Sequence, residues 1–316
     1  MINNSENFTI AFYNIENLFD VKNDPSTYDD NFTPTSIKRW TPKRYQKKLL
    51  KLGTVISQIG EENSEVSPVI IGLAEVENKK VLSDLVTSKN LIEQQYSYIH
   101  YDSKDERGID VALLYKSDLF EVTHSETFSV YFEKEPGVQD YTRDILLVKG
   151  KLNNEDINII VNHWSSRREG TKETEFKRIE AAKVVNSIIK ELKSNDSDTK
   201  IIVMGDFNDN PNCNSLLMLE QESSLYNPFK TVWSRDNGSL NHHFQWHLFD
   251  QILFSTNFFD TSNSKLVFSD AQVFNSKFLT QYTGKYKGQP FRTYSGKKYK
   301  GGFSDHFPVF IQLKTS

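Results

Sequence analysis

The segment Ile201–Asp209 has the sequence IIVMGDFND and decides how the rest of the chain is interpreted. The apolar run Ile201–Met204 predicts a buried strand, and the residues after it deliver polar groups into a loop. Because alternate side chains of an extended chain point to one side, we expect Asp206 and Asn208 to face the same space. Asp206 could accept a proton from water, and Asn208 could hold an oxyanion through its amide. Taken alone, the motif fits an ordinary Asx-rich turn equally well.

Apolar, β-branched runs of the same kind recur along the chain and predict further strands at Thr9–Tyr13, Val69–Leu73, Asp110–Tyr115, Ile145–Val148, Ile157–Val161, Gln251–Phe254 and Val309–Leu313. Apolar residues spaced three and four apart predict two amphipathic helices, one with Tyr45, Leu49, Leu52, Ile56 and Ile59 on its face, the other with Phe176, Ile179, Ala182, Val185, Ile189 and Leu192. No Pro-, Gly- or Ser-rich linker divides these elements. We therefore expect one α/β domain over residues 1–316, with its site at strand ends.

The composition bounds the class of protein. The formal net charge of −4 provides no overall cationic field, so an anionic substrate must meet a local basic surface. Cys213 is the only cysteine, which excludes an intramolecular disulfide and a thiolate metal cage. No run is long and apolar enough to span a membrane, and Met1–Asn7 lacks the apolar stretch of a signal peptide. We expect a cytoplasmic monomer, with secretion as the alternative if a leader precedes this sequence.

Other polar motifs also stand at the ends of predicted strands. They are Asn14 and Glu16 in YNIEN, Glu75 in LAEVEN, His163 and Arg167 in NHWSSR, Asp250 in FDQILFS, and Asp305 and His306 in SDHFPV. Each alone has an ordinary interpretation as a turn former, a helix cap or a solvated loop. Together they supply hard oxygen donors, two histidines and two amides without a thiolate. Such donors suit Mg²⁺, which binds through one or two carboxylates plus substrate phosphate, and this indicates phosphoryl chemistry.

Taken in chain order, the motifs resemble those of the endonuclease/exonuclease/phosphatase superfamily, which includes pancreatic-type DNases, AP endonucleases, sphingomyelinases and inositol-polyphosphate 5-phosphatases. The matching pieces are YNIEN, LAEVEN, RGIDVALLY, NHWSSR, GDFND, FDQILFS and SDHFPV, and they extend from about Phe8 to Leu313. An ordered set of motifs is far more specific than any one of them. The resemblance implies a DNase-like, four-layer α/β/β/α sandwich with the site at one edge of two packed central sheets.

The resemblance also implies roles for individual residues. Four side chains would place the metal, which is Mg²⁺ with Mn²⁺ as the alternative: Asn14, Glu16, Glu75 and Asp305, with Glu75 as the principal ligand. Five would carry catalytic steps: His163, Asp206, Asn208, Asp250 and His306. Substrate contacts would come from Arg107, Arg167, Asn208 and His163.

In the implied mechanism, water attacks phosphorus in line with the leaving group. Asp206 would take the proton from that water, and Asn208 would hold the water or a phosphate oxygen. Asp250 would orient His306, and protonated His306 and His163 would donate to the developing charge.

Two basic stretches bear on the substrate. Ser36–Lys51 holds seven Lys or Arg residues and no acid, and Ala271–Ser304 holds another seven without an acid. The second stretch is interleaved with aromatic residues: Phe274, Phe278, Tyr282, Tyr286, Phe291, Tyr294, Tyr299 and Phe303. Basic groups beside stacking aromatics suit nucleic acid or another phosphorylated substrate, and a solvated loop with packed aromatics is the ordinary alternative.

Three histidines lie close together outside these motifs. His243 and His247 have the i,i+4 spacing that could ligate zinc on a helix, and His242 precedes them. Because the segment has no clear helical pattern and no cysteine, a loop near the site is the favoured interpretation.

We expect a Mg²⁺-dependent phosphodiesterase of the nuclease type. The alternatives are a phosphomonoesterase acting on a lipid, inositol or nucleotide substrate, and a non-catalytic binding module on the same fold. Ala74 precedes Glu75 where AP endonucleases usually have Gln, which counts against cleavage at abasic sites. A calcineurin-type phosphatase is excluded because the chain lacks the Asp-x-His and Gly-Asn-His-Asp/Glu motifs.

Overall fold

Two six-stranded sheets form the centre of the molecule in a computed structural model, which describes residues 6–61, 66–135, 137–262 and 264–315. The first sheet contains β1 (Asn7–Leu18), β2 (Ile70–Val76), β3 (Tyr96–His100), β4 (Asp110–Lys116), β15 (Leu266–Val273) and β18 (Val309–Thr315), in the order β15-β18-β1-β2-β4-β3. The second contains β5 (Phe120–Phe128), β8 (Ile145–Leu152), β9 (Glu155–His163), β10 (Lys200–Asp206), β11 (Leu225–Tyr226) and β14 (Asp250–Ser255), in the order β11-β14-β10-β9-β8-β5. Smaller ladders pair β6 (Phe132–Glu135) with β7 (Val138–Asp140), β12 (Leu240–His242) with β13 (Gln245–His247), and β16 (Tyr294–Ser295) with β17 (Lys298–Tyr299).

The α-helices of the described chain are α1 (Pro42–Ile56), α2 (Lys79–Val86), α3 (Glu175–Asn195), α4 (Asn214–Ser223) and α5 (Phe229–Val232). α1 begins after Thr41, whose side chain accepts the Arg44 N–H, with Pro42 at the first helical position. None of these described helices combines the length and apolar character needed to cross a bilayer.

Every predicted strand and both predicted helices are confirmed, with two corrections at helix ends. Ile59 is buried but follows the last residue of α1, Ile56. Phe176 is 50% exposed because it lies in the first turn of α3, where its ring packs edge-on against Phe132 instead of reaching the core.

Alternating side chains divide the core into layers. In β10, Ile202 and Met204 belong to the larger hydrophobic cluster, which joins the facing sides of both sheets and includes α1 and α2. Ile201 and Val203 point the other way, into a smaller cluster with α3 and α4. Since period-two alternation assigns each residue to one face, the second sheet lies between the first sheet and the helices α3 and α4.

Each sheet has one parallel pair, β1 with β2 and β9 with β10, and the other pairs of the two sheets are antiparallel. In both pairs a long helix lies between the strands in sequence, α1 in the first and α3 in the second. A crossover of this kind brings the carboxyl ends of the paired strands to the same edge of a sheet, where loops can carry function.

Two glycines mark close approaches in the sandwich and make a test of packing. A Cβ on Gly205 would lie 2.5 Å from the backbone oxygen of Asn162, whereas a Cβ on Gly72 would lie 2.5 Å from the Met204 sulfur. The backbone of a paired strand cannot move away from the added methyl group, whereas the flexible Met204 side chain can change its conformation. We expect Gly205→Ala to lower the free energy of unfolding by about 3 kcal/mol and Gly72→Ala by only about 1 kcal/mol, measured by urea denaturation. Equal losses, or the reverse order, would contradict this account.

Candidate active site

Strand ends from both sheets meet at one edge of the sandwich. In the second sheet, Asp206 ends β10 in register with His163 at the end of β9 and with Asp250 at the start of β14. In the first sheet, Asn14 in β1 pairs with the residue that precedes Glu75 in β2. Asn14 Nδ2 donates to Asp206 Oδ2 at 3.0 Å, a buried hydrogen bond that joins the two sheets at this edge.

Glu75 sits in a break of the sheet register. The pairing of β2 shifts at this position on both sides, against β1 and against β4. Its φ of 67° is left-handed, a conformation that costs a residue with a Cβ about 1–2 kcal/mol. Bulges beside functional sites re-aim a side chain, and backbone strain is commonly retained at such sites. The local backbone geometry therefore indicates that the direction of the Glu75 side chain is needed at this site.

Asp206, Asp250 and His306 form a buried acid–base group. His306 Nδ1 lies 2.6 Å from Asp250 Oδ2, and one polar atom from each of the three residues lies within 4.8 Å of the others. Burial lowers the pKa of His306, but the carboxylates of Asp250, which also hydrogen-bonds the ring, of Asp206 and of Asp305 together outweigh burial and hold that pKa well above its ordinary value. Burial, with the charge of Asp250, raises the pKa of Asp206 to about 6. Because a protonated imidazole has no lone pair for a cation, this group suits acid–base chemistry better than metal binding.

The chain turns at Asn208 instead of continuing extended, which corrects the alternation argument. Asn208 has a left-handed φ of 51°, and its N–H donates to Asp206 Oδ1 at 3.0 Å. Its side-chain Nδ2 donates to the Trp164 carbonyl oxygen, also at 3.0 Å. An Asx turn therefore holds Asn208 beside Asp206, as the ordinary interpretation of the motif expects.

His163 lies against Asp206 from the neighbouring strand, with 3.7 Å between Nε2 and Oδ2. Burial and then the positive charges of Arg143 and Arg107 lower the pKa of His163 well below its ordinary value. The sequence interpretation expected a protonated His163, whereas burial and these two arginines favour the neutral ring despite the nearby Asp206 carboxylate. Its buried Nδ1 has no hydrogen-bond partner among the described residues.

Three carboxylates, Glu16, Glu75 and Asp305, form an acidic group near this pair of histidines. The charges of all three act on the pKa of Lys48, which burial lowers to about 8. Burial and then the charge of Asp305 raise the pKa of Glu16 to about 7. For Asp305, burial raises the pKa, but the cationic His306, Arg292 and Lys48 together outweigh burial and lower the pKa. The raised pKa of Glu16 indicates that the nearby cations do not fully compensate its charge, and hard oxygen donors in this situation fit Mg²⁺.

Glu16 and Lys48 connect this group to the loop that contains Thr293 and Tyr294, called here the C-terminal loop. The Glu16 oxygens accept the backbone N–H groups of Thr293 at 2.5 Å and Tyr294 at 3.2 Å, and Lys48 Nζ donates to Thr293 Oγ1 at 2.6 Å. The sequence interpretation missed Lys48. One signal was present: Lys48 follows buried Tyr45 by three positions, which places a charged residue on the apolar face of α1.

The two arginines predicted to contact substrate both pair with protein carboxylates. Arg107 Nη2 lies 3.5 Å from Glu75 Oε1. Arg167 Nε donates to the backbone oxygen of Asn208 at 2.6 Å, and its Nη2 forms an ion pair with Asp209. Arg107 therefore lies beside the acidic group, while Arg167 braces the turn that carries Asn208.

The predicted basic stretches pack against each other. The Arg44 guanidinium lies 4.2 Å from the centre of the Tyr299 ring, and Lys51 Nζ hydrogen-bonds the Gly301 oxygen. Part of the positive charge in the first stretch is consequently structural. The histidines at 242–247 lie on the hairpin of β12 and β13, not on a helix, so their i,i+4 spacing does not align them on one face.

A second group of possible cation ligands, absent from the sequence interpretation, lies at the start of β4, on the same edge of the first sheet as Glu75. His100, Asp102 and Asp110 each place one ligand atom within 4.8 Å of the others. His100 Nε2 is 3.3 Å from Asp110 Oδ2. Asp110 belongs to the motif RGIDVALLY, but His100 and Asp102 stand in none of the quoted motifs, so only proximity in space reveals the three as a set.

Comparison with known proteins connects this geometry to a family. The sequence model of the endonuclease/exonuclease/phosphatase family matches residues 9–315. No curated protein matches the chain at a significant level.

Solved structures share the architecture at low sequence identity. An endonuclease/exonuclease/phosphatase family protein from Bacteroides thetaiotaomicron has 18% identity and a TM-score of 0.61, with 99% of each chain covered. A mannosyl-6-phosphatase from the same organism has 19% identity and a TM-score of 0.58 over 97% of this chain and 99% of that chain. The human Nocturnin catalytic domain with bound sulfate has 14% identity and a TM-score of 0.58, covering 98% and 95%. These likenesses confirm the expected DNase-like sandwich of two central sheets.

Proposed function

The chain belongs to the endonuclease/exonuclease/phosphatase family, whose chemistry is phosphoester hydrolysis, and we propose that it is a Mg²⁺-dependent phosphodiesterase of the nuclease type. One observation carries the proposal: Asp206 and His306 lie together beside an acidic group, in surroundings that favour an ionised carboxyl near neutral pH and a protonated imidazole. A pair of titratable groups whose environments separate their protonation states is the usual basis for assigning a base and an acid. Mn²⁺ is the alternative cation.

The residues of the chain would divide the reaction as follows. Asp206, whose pKa is raised to about 6, would take the proton from the attacking water. Cationic His306, oriented by Asp250, and neutral His163 would donate to non-bridging phosphate oxygens as their charge develops. Asn208 would hold the water or a phosphate oxygen. The buried positions of these groups exclude bulk water and strengthen each interaction.

The acidic group would hold the cation. Glu75 is proposed as the principal ligand because its bulged backbone directs the side chain and because it lies at the end of β2. Asn14, Glu16 and Asp305 would complete the surroundings of the ion, with Glu16 also anchoring the C-terminal loop. When bound, Mg²⁺ would neutralise charge on the phosphate and on the leaving oxygen.

Two separate cavities favour a diester over a monoester. One, of about 240 Å³, is lined in part by Arg292, Lys300 and Asp305. The other, also about 240 Å³, is lined in part by Arg107 and Arg168. The first is lined by Asp305 of the acidic group, and the second by Arg107, which pairs with Glu75. A diester carries a substituent on each side of phosphorus, and two cavities beside the acidic group would accommodate both.

A phosphomonoesterase is the second candidate. The observation that favours it is the structural likeness to a protein named as a mannosyl-6-phosphatase. The same acid–base group would serve that reaction, and one of the two cavities would then hold no part of the substrate.

A substrate panel tests the proposal directly. The purified protein would be incubated with plasmid, single-stranded DNA, RNA, bis-p-nitrophenyl phosphate and a set of phosphate monoesters, each with Mg²⁺ or with EDTA. Metal-dependent cleavage of a diester is the expected result. Phosphate release from monoesters alone would select the second candidate, and no turnover of any substrate would reject both.

The rate should depend on pH through Asp206. Since the base must be ionised, we expect kcat/KM to fall about tenfold per pH unit on the acid side. The midpoint should be no higher than about 6, because burial and Asp250 raise the pKa to about 6 and a bound cation can only lower it. A pH series with bis-p-nitrophenyl phosphate and saturating Mg²⁺ measures this. A rate that rises as the pH falls would contradict the assignment.

A further inference from the structure

We propose that the cavity between the β12–β13 hairpin and residues 281–292 binds the nucleobase of a nucleotidyl ester substrate. The inference rests on the proposed function, because it gives the phosphodiesterase a substrate class. The cavity volume of about 240 Å³ lies below the roughly 300–1,000 Å³ of drug-sized pockets, so it suits a single planar ring system.

A strained turn builds one wall of this cavity. His242 pairs with Gln245, which leaves a two-residue loop of His243 and Phe244, with φ values of 50° and 64°. Such a turn normally takes Asn-Gly, since residues with a Cβ are unfavourable at positive φ. A hairpin selected only for stability would not place His and Phe there. Strain of this kind is retained where the side chains are needed in position.

The turn presents Phe244 as part of an exposed aromatic platform. Phe244 is 61% exposed and Tyr286 42% exposed, yet their rings are nearly parallel, with 4° between the planes and 5.7 Å between the centroids. Both residues line the cavity. Because so much of each ring remains accessible, the pair adds little to the core. Exposed, ordered ring faces are the surfaces on which bases stack in proteins that bind nucleic acids.

The rest of the cavity provides polar groups that match a base and its phosphate. Asn241, Gln281 and Gln289 contribute amides, which can donate and accept hydrogen bonds at a base edge. Arg292 lines the same cavity and forms an ion pair with Asp305, next to His306. Arg292 and Asp305 would therefore connect a base in the cavity to the reaction centre at His306.

The test uses two diesters that share p-nitrophenolate as the leaving group: thymidine 5′-(p-nitrophenyl phosphate) and methyl p-nitrophenyl phosphate. Phe244→Gly removes the ring at a position whose positive φ suits glycine, so the fold is not put at risk. Phe244→Tyr keeps a ring and serves as the matched control.

We expect Phe244→Gly to lower kcat/KM for the thymidine ester about tenfold or more and to leave the methyl ester unchanged. Phe244→Tyr should retain the preference for the thymidine ester. An equal effect on both esters, or no effect on either, would overturn the proposal.

Calorimetric titration of the metal-free protein separates this inference from the proposed function. Thymidine 5′-monophosphate should bind more tightly than inorganic phosphate, and Phe244→Gly should remove the difference. If the wild type hydrolyses neither diester but shows this binding, the phosphodiesterase proposal fails and the nucleobase site stands. If it hydrolyses both and binds the two ligands equally, the nucleobase site fails alone.

Discussion

The Asp206→Asn variant should lose about 10³-fold in kcat on any diester that the wild type cleaves, while remaining folded. Asp206 is buried at 2% exposure, and both of its oxygens accept hydrogen bonds, from Asn208 N–H and from Asn14 Nδ2. An amide at this position keeps the shape of the side chain but cannot take a proton from water. The loss should therefore appear in kcat, with KM little changed.

The effect on stability should be small by comparison. The amide can keep the hydrogen bond from Asn208 but sets two NH₂ groups against each other at Asn14, a cost of about 1–3 kcal/mol. Removing the charge also relieves its repulsion with Asp250, which offsets part of that cost. Thermal unfolding and near-UV circular dichroism would establish that the variant is folded.

Asp156→Asn is the matched control for this experiment. Asp156 lies near the start of β9, at the opposite end of the strand from His163, and its side chain is 77% exposed. The same chemical change there should leave kcat and KM unchanged. If Asp206→Asn retained activity within a few-fold of the wild type, Asp206 could not be the base, and another group would have to accept the proton.

The sequence was sufficient for the central strands because each is buried on both faces. In β10, every residue from Lys200 to Asp206 is buried, so a continuous apolar run marks the strand and its end marks the site. The edge strands β5 and β15 lack such a run, since one of their sides has no neighbouring strand and their outer positions are polar. Periodicity therefore located the strands that deliver site residues and missed those at the edges.

The site itself was predictable only as a set of candidates. Asp206 and Asp250 follow or begin apolar runs, so their positions could be inferred. The lowered pKa of His163 depends on burial and then on Arg143 and Arg107, which lie elsewhere in the chain. The contact between Glu16 and the loop at Thr293 spans 277 positions in sequence. Protonation states and long-range anchors of this kind follow from burial and charge in three dimensions, which no local pattern encodes.

The strained residues show a related limit. At Glu75 the motif indicated a carboxylate at a strand end. In an extended strand, alternation alone would decide to which face of the sheet this side chain points. The bulge changes that direction, and only the paired strands reveal it. Phe244 is the stronger case, because nothing in its local sequence predicts a left-handed turn.

Replacing Glu75 by Gln should raise the Mg²⁺ concentration needed for half-maximal activity and lower kcat/KM by about 10²-fold or more. The Gln side chain can still accept the Asn17 N–H, which Glu75 Oε2 accepts at 2.7 Å, so the bulged backbone should be maintained. What is lost is the negative charge that would compensate the cation. Thermal unfolding offers a second readout: at about 100 times its Kd, a bound ion stabilises the wild type by roughly 2.7 kcal/mol, and the variant should lose most of that gain.

Glu77→Gln is the control for Glu75→Gln, because it makes the same chemical change two positions along the chain. Burial raises the pKa of Glu77 to about 8, so this carboxyl is already largely protonated near neutral pH and its replacement removes little charge. Its Oε2 accepts the Asp20 N–H, which the Gln oxygen can also accept. We therefore expect Glu77→Gln to keep the Mg²⁺ dependence and the stabilisation by Mg²⁺ of the wild type. If both variants had the wild-type requirement for Mg²⁺, Glu75 would not be the principal ligand, and the role would pass to Asp305 and Glu16, the other carboxylates of the acidic group.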